Sequence, residues 1–186
     1  FAGLLNEDAR ALEADGVDVI QFDEPAFNVF MNDVAGWGVE ALNRATDRLT
    51  CKTAVHICYG YGIKANIDWK NALGGEWRQY EQIFPALAKS RIDQVSIEAI
   101  NSRVPLKLMS LLDGKDVLVG VIDIATDTVE TPEQIAGVIG EVMQHVPKER
   151  IVCCTNCGMA PMRRDVAVAK LEALGMGAAL AREKYA

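Results

Sequence analysis

The chain has 186 residues, of which 50% are hydrophobic and 24% are charged. This length and apolar content favour one folded domain over residues 1–186 and argue against disorder. The net charge of −7 argues against nucleic acid or an anionic membrane surface as the main partner, and no apolar run approaches the roughly 20 residues of a membrane helix.

The cysteines suggest the cellular compartment of the chain, and the first residue suggests that more sequence precedes it. Five cysteines, an odd number, favour a reducing compartment with reactive or metal-binding thiols over a disulfide framework, so a cytoplasmic location is expected. The sequence begins with Phe1 inside a predicted helix. We therefore expect the chain to be part of a longer protein.

Hydrophobic periodicity predicts strands that alternate with helices. After a helix at 4–14, strands are predicted at 17–22, 52–58, 93–98, 116–122 and 150–155. Each strand is followed by a helical segment, at 37–49, 76–89, 104–112, 132–145 and 161–183. Pro85 is expected to kink or break its helix, and Thr131-Pro132-Glu133-Gln134 predicts a capped helix start.

These strands are almost continuously apolar, which indicates a parallel sheet covered by helices. Polar residues follow at the carboxyl end of every strand, namely Asp23, His56 with Cys58, Glu98, Asp123 and Cys157. Active sites of α/β barrels and open α/β sheets are built at that edge. Five strands cannot close a barrel of eight, so a barrel fold would require about three further βα units upstream.

Four of these side chains predict a metal site. His56 and Cys58 lie two positions apart on one strand and so share a face. With Glu98 and Cys157 they would offer zinc one nitrogen, two sulfurs and one oxygen in a tetrahedral shell. A metal with these ligands would deprotonate a bound substrate thiol near neutral pH, which favours chemistry in which sulfur attacks carbon.

Simpler interpretations stand beside this one. His56 and Cys58 could be a buried cysteine next to a hydrogen-bonded core histidine. Cys154 and Cys157 have the C-x-x-C spacing of redox thiols, although they follow a fifth βα unit and do not open a helix in a thioredoxin-like fold. Cys153 and Cys154 are expected to be core thiols.

Two aspartates admit two roles each. Asp23, in Asp23-Glu24-Pro25, could cap the following helix or anchor a substrate ammonium group. Asp123 admits the same pair of roles. The segment Gly60-Tyr61-Gly62 only weakly resembles a phosphate-binding loop and is expected to form a turn.

The segments VIQFDEPAF, AVHICYG, VSIEAINSR, GVIDIAT and CTNCGMAPMRR occur in this order. Together they resemble the C-terminal catalytic barrel of cobalamin-independent methionine synthases, especially short members with a single barrel. The resemblance runs from about Val17 to Arg164. It implies a (β/α)8 TIM barrel in which this chain supplies the last five βα units.

The resemblance also implies a function and roles for single residues. It implies a zinc enzyme that methylates homocysteine to methionine, with zinc held by His56, Cys58, Glu98 and Cys157. It also implies that Asp23 binds the amino group of homocysteine. Ser102 and Arg103 match a Ser-Arg pair of the family, for which no role is inferred.

Two departures from the family pattern concern the methyl donor. The family carries D-I-H-S where this chain has Asp123-Ile124-Ala125-Thr126, so the histidine that donates a proton to the leaving group is absent. Asp123, Asp127 or water must then donate, or the donor is not methyl-tetrahydrofolate. Val29 also replaces a glutamate of the polyglutamyl-folate enzymes, which leaves folate, a corrinoid or another donor open.

The predicted function is therefore zinc-dependent methyl transfer to homocysteine. One alternative is another zinc thiol methyltransferase, such as a methylcobalamin:coenzyme M enzyme of the uroporphyrinogen decarboxylase superfamily. A second alternative is a non-catalytic module stabilised by zinc. A homodimer or an accessory protein is also expected as a partner.

Overall fold

The computed structural model describes residues 1–61 and 64–186. One sheet contains five parallel strands, each paired with its predecessor in the chain, in the order β1-β2-β3-β4-β5. Their bounds are Val19–Asp23 (β1), Lys52–Ile57 (β2), Gln94–Glu98 (β3), Asp116–Ile122 (β4) and Ile151–Thr155 (β5). All five predicted strands are confirmed, within a few residues at their ends.

The helices alternate with the strands. They are α1 (Ala2–Ala14), α2 (Met31–Asp33), a π-helix (Val34–Gly38), α3 (Val39–Ala45), α4 (Lys64–Ala72), α5 (Gln79–Ala88), a 3-10 helix (Leu106–Leu111), α6 (Pro132–Val142), a second 3-10 helix (Lys148–Arg150) and α7 (Arg164–Lys184). Thr131 caps α6 with the predicted capping box. Among the described residues, no helix is both long and apolar enough to cross a membrane.

The helices differ from the predictions in three places. The segment after β3 is a 3-10 helix, and α4 was not predicted at all. Of the kink or break predicted at Pro85, the break is wrong, because α5 continues through this residue. Tertiary packing explains the continuity: Tyr80 and Phe84 of α5 are completely buried, with their ring centroids 4.6 Å apart. The predicted turn at Gly60-Tyr61-Gly62 lies partly outside the described residues.

The two faces of the sheet differ in polarity. The helix-covered face carries side chains without solvent exposure, namely Val55, Ile57, Val95, Ile97, Val117, Val119 and Val121. On the opposite face, Asp23 pairs in register with His56 and His56 with Ser96. Registered neighbours in a sheet share a face, so the polar residues gather where no helix covers them.

One irregularity interrupts the register. Gly120 of β4 pairs with Cys154 of β5, but Ile122 pairs with Thr155, so β4 contains one extra residue. Such bulges occur often beside active sites, where they redirect the chain. Here the bulge lies opposite Cys154 and Thr155, the last residues of β5 before the segment that contains Cys157.

Close packing of α6 on α7 yields a stability prediction. A Cβ on Gly177 of α7 would lie 2.5 Å from Cβ and 2.4 Å from Cγ2 of the buried Ile135 in α6. These carbons are attached close to the backbone and cannot swing aside, so Gly177→Ala should lower the free energy of unfolding of the complete protein by about 1–3 kcal/mol. Chemical denaturation measures this change.

Gly175 provides the matched control in the same helix. A Cβ on Gly175 would meet nothing within 4 Å in the described chain, so Gly175→Ala should raise helix stability by up to about 1 kcal/mol. Equal stabilities of the two variants would contradict the packing account.

Candidate metal centre

Three of the four predicted ligands meet at the carboxyl edge of the sheet. One ligand atom each from His56, Cys58 and Cys157 lies within 4.8 Å of the other two. The two sulfur atoms are 3.5 Å apart, although the residues are 99 positions apart in sequence. His56 lies on β2, Cys58 directly follows β2, and Cys157 follows β5.

The imidazole of His56 is held at one nitrogen only. Nδ1 is hydrogen-bonded to Oγ of Ser96 at 2.8 Å. Nε2 is buried and has no hydrogen-bond partner among residues 1–61 and 64–186. An unpaired buried polar atom costs roughly 1–3 kcal/mol, so His56 differs from the satisfied core histidine of the simpler interpretation.

Glu98 lies beside this cluster and not within it. Its Oε1 accepts a hydrogen bond from the backbone N–H of Tyr59 at 2.5 Å, and its Oε2 accepts one from the hydroxyl of Tyr61 at 2.8 Å. The side chain is almost fully buried, and burial raises its pKa. The fourth predicted ligand is therefore adjacent, with both oxygens engaged by protein donors.

The two thiols of the cluster share a proton. The hydrogen bond from Cys58, assisted by His56, lowers the pKa of Cys157 to about 4. The same bond and burial raise the pKa of Cys58. The pair therefore loses its first proton readily and resists losing the second without a cation to balance the charge.

The remaining thiols are separate from the cluster. Cys157 contacts Cys58 and not Cys154, whose sulfur lies 3.7 Å from Oγ of Ser96. All five cysteines are free thiols, so the C-x-x-C spacing forms no disulfide. Cys153 and Cys154 are half-buried on β5, the outer strand of the sheet, and Cys153 packs against the hydrophobic core.

Asp23 does not cap the helix that follows it. That helix, α2, has no side-chain cap, and Glu24 accepts a hydrogen bond from the N–H of Ala26 at 2.9 Å in the turn after β1. Asp23 is exposed at the end of β1 and accepts a hydrogen bond from Nε2 of Gln21 at 3.0 Å. Its carboxylate thus remains accessible, beside His56 in the register of the sheet.

Asp123 is held firmly at the end of β4. Its Oδ1 accepts a hydrogen bond from the N–H of Ala125 at 2.8 Å, and Oδ2 accepts one from Nδ2 of Asn101 at 3.2 Å. One carboxylate oxygen thus stabilises the turn after β4, and the other connects it to the loop after β3. Asp123 does not cap the following helix, α6, because Thr131 holds that position.

A buried ion pair behind Asp123 was missed by the sequence analysis. Lys170 has no solvent exposure, and its Nζ donates to both carboxylate oxygens of Glu130 and to the carbonyls of Asp123 and Thr128. The N–H of Asp123 also donates to Glu130. The pair fastens the loop after β4 to α7. Lys170 has helical spacing with the buried Ala173 and Gly177, and this spacing could have revealed that its side chain is buried.

Comparisons with known proteins add a family to this geometry. A profile described as "Cobalamin-independent synthase, Catalytic domain" matches residues 1–180. The structure of a B12-independent methionine synthase from Shewanella sp. W3-18-1, in complex with selenomethionine, is 55% identical with a TM-score of 0.96, and the match covers 100% of this chain and 54% of that one. The curated methionine synthase of Saccharolobus solfataricus is 29% identical over 99% of this chain and 50% of its own length.

A more distant structure shares the fold alone. A putative vitamin-B12 independent methionine synthase from Listeria monocytogenes is 17% identical with a TM-score of 0.67, over 96% of this chain and 53% of that one. The chain therefore spans about half the length of these relatives. The predicted fold class is confirmed: the chain is part of a TIM barrel, to which it contributes five parallel strands.

The thiol pair generates a prediction on pH-dependent reactivity. In the metal-free protein at about pH 6, iodoacetamide should modify Cys157 well before Cys154, because only thiolates react. Cys157, with a pKa of about 4, is ionised at this pH, whereas burial raises the pKa of Cys154 to about 12. Peptide mass spectrometry after limited labelling measures both sites.

Cys154 is a suitable reference because both thiols are half-buried. Labelling of Cys157 that begins only above about pH 8, the range of an ordinary thiol, would contradict the shared-proton description.

Proposed function

Because the chain belongs to the cobalamin-independent synthase catalytic-domain family, we propose that it carries the thiol-activating site of a zinc-dependent homocysteine methyltransferase. In this reaction a methyl group passes to the sulfur of homocysteine and methionine is formed. The relatives are about twice as long as this chain. The active unit would therefore be the complete protein. A cytoplasmic location, and a homodimer or an accessory protein as partner, remain predictions.

The observation that carries the proposal is the cluster of His56, Cys58 and Cys157, with ligand atoms within 4.8 Å of one another. One imidazole nitrogen and two thiol sulfurs are donors that zinc prefers. The unpartnered, buried Nε2 of His56 supports the fit, since a cation would satisfy it. The residues present therefore suit zinc.

Glu98 is the proposed fourth ligand. Its carboxylate is buried next to the cluster but accepts hydrogen bonds from Tyr59 and Tyr61. Binding a metal would require one oxygen to exchange a hydrogen bond for the cation. Such an exchangeable ligand suits a site that must also admit a substrate thiol.

The chemistry supplied by bound zinc would be a lowered pKa of the coordinated homocysteine thiol, so that the substrate reacts as a thiolate. The exposed carboxylate of Asp23 would hold the substrate ammonium group through a charge-assisted hydrogen bond. Since Asp23 and His56 are paired in register, this contact would orient the amino acid with its sulfur toward the cluster. Orientation of this kind lowers the entropic part of the barrier.

Asp123 is the proposed carrier of the proton for the leaving group of the methyl donor. Ala125, where the family motif has histidine, offers no proton. The bonds from Ala125 N–H and Asn101 hold the Asp123 carboxylate at the end of β4. One of these bonds would have to open before Asp123 could donate. The donor, methyl-tetrahydrofolate or a corrinoid, is left to a direct screen.

The substrate assignment has support of its own. The Shewanella relative was solved in complex with selenomethionine, which is methionine with selenium in place of sulfur. By similarity, we propose that this site accepts homocysteine and releases methionine. Coenzyme M, the substrate of the alternative enzyme class, has no ammonium group for Asp23 to bind.

A non-catalytic zinc module is the second candidate, and Ala125 is the observation that favours it. Single-turnover methyl transfer by the complete zinc-loaded protein separates the two. Homocysteine should be methylated with at least one of methyl-tetrahydrofolate or methylcobalamin. Failure with every donor and accessory protein, despite bound zinc, would favour the module.

Metal content gives the first quantitative test. The complete protein should bind zinc stoichiometrically, and His56→Ala, Cys58→Ser and Cys157→Ser should each lose most of it, because each removes a ligand. Cys153→Ser, which removes a thiol of β5 outside the cluster, should retain the zinc. Metal analysis after dialysis against a chelator measures the zinc content of each variant. Equal zinc retention by all variants would disprove the ligand assignment.

Asp23 gives a test of the substrate. Asp23→Asn should weaken homocysteine binding roughly 10- to 100-fold, since a hydrogen bond to a charged group is worth about 1.5–3 kcal/mol. Asp18→Asn makes the same change of charge before the opposite end of β1 and should leave affinity unchanged. Isothermal titration measures both, and unchanged affinity in Asp23→Asn would favour the coenzyme M class.

A further inference from the structure

Cys157 has to cover a considerable distance to reach Cys58. In the strand order, β3 and β4 separate β5 from β2. Neighbouring strands lie about 4.8 Å apart, so β5 and β2 would be about 14 Å apart across a flat sheet. The sulfur atoms of Cys58 and Cys157 are nevertheless only 3.5 Å apart. Some feature must therefore direct the chain after β5 across the end of the sheet.

The side chain of Asn156 makes this connection. Asn156 is 1% exposed, and its Oδ1 accepts a hydrogen bond from the N–H of Ala99 at 3.1 Å. Its Nδ2 donates to the carbonyl of Ile100 at 2.9 Å. The residue before Cys157 is thus bonded to the two residues after Glu98, past the intervening strand β4.

The backbone of Asn156 is held as well. Its N–H donates to the carbonyl of Ile122 at 2.9 Å, directly after the bulge in β4. Its Nδ2 also lies 3.4 Å from the hydroxyl of Tyr61, the same hydroxyl that donates to Glu98. Asn156 therefore contacts the ends of β3 and β4 at once and shares a partner with Glu98.

Gly120 provides the space for this arrangement. A Cβ at this position would lie 2.3 Å from Oδ1 of Asn156, 2.8 Å from its Cα and 2.8 Å from the carbonyl oxygen of Ile97. Two of these three atoms belong to the backbone and cannot move aside. Any larger residue at position 120 would therefore displace Asn156 and the chain that leads to Cys157.

We propose that Asn156, packed over Gly120, is a positioning residue that ties the end of β5 to the end of β3 and so places Cys157 against Cys58 and His56. The inference rests on the proposed function, because it treats the three residues as a metal site. Asn156 itself does not bind the metal. It acts through the backbone of the adjacent Cys157.

The experiment uses the complete protein and two probes, Zn²⁺ and Co²⁺. Residues that orient metal ligands typically change metal affinity about 10- to 100-fold. Asn156→Ala and Gly120→Ala should therefore weaken Zn²⁺ binding by this factor in a chelator competition. Both should also weaken the thiolate-to-cobalt charge-transfer band of the Co²⁺ form, because Cys157 leaves the metal.

Two further variants separate positioning from stability. Ser90→Ala removes another buried hydrogen bond, from Oγ to the carbonyl of Leu87, and should lower stability without changing metal affinity or the cobalt spectrum. Asn156→Asp keeps the acceptor for Ala99 but loses the donor to Ile100. It should give an intermediate cobalt spectrum, and it carries the test if Asn156→Ala does not fold.

The outcomes distinguish this inference from the proposed function. If the unmodified protein binds neither metal, the proposed function fails. If it binds both, and the variants of Asn156 and Gly120 keep its affinity and cobalt spectrum, the positioning role is overturned. Loss of stability alone, as in Ser90→Ala, would count as the same negative result.

Discussion

The structure depends on the close approach of two sulfur atoms and one imidazole at the edge of a parallel sheet. Cys58 and Cys157 lie with their sulfurs 3.5 Å apart, next to the unpaired Nε2 of His56. Two thiolates at this distance repel each other, so a shared proton or a cation must lie between them. The chain holds them together because hydrogen bonds and an ion pair of the protein itself anchor strand ends and loops on both sides.

This anchoring comes from buried polar groups that bond to the backbone. Asn28 is buried, and its Nδ2 donates to the carbonyl of Cys58 at 3.1 Å. Asn156 connects the ends of β3 and β5, while Lys170 and Glu130 fix the loop after β4. Burying a charge or an amide is costly unless it is paired, and Oδ1 of Asn28 is left without a partner among residues 1–61 and 64–186. The bonds of these groups hold the strand ends around the thiol cluster in place.

Much of the fold was predictable from local pattern. Period-two and period-3.6 spacing are short-range properties, so strands, the capped start of α6 and the polar strand ends could be assigned from neighbouring residues. The errors arose where tertiary packing dominates. Tyr80 and Phe84 keep α5 continuous through Pro85 because their burial outweighs one missing hydrogen bond. The contacts of Glu98 with Tyr59 and Tyr61 depend on the loop after β2, which has no periodic signature.

The sequence by itself determined that His56, Cys58, Glu98 and Cys157 stand at the carboxyl ends of strands, because each follows or ends an apolar run. Alternation along the strand also placed His56 and Cys58 on one face. Only the tertiary structure decided which of them touch. Cys157 reaches Cys58 over 99 positions through a bulge in β4, the absence of a side chain at Gly120 and the bonds of Asn156. Glu98 lies beside them in hydrogen bonds to protein donors. Such contacts arise from the register and curvature of the whole sheet, which no local pattern encodes.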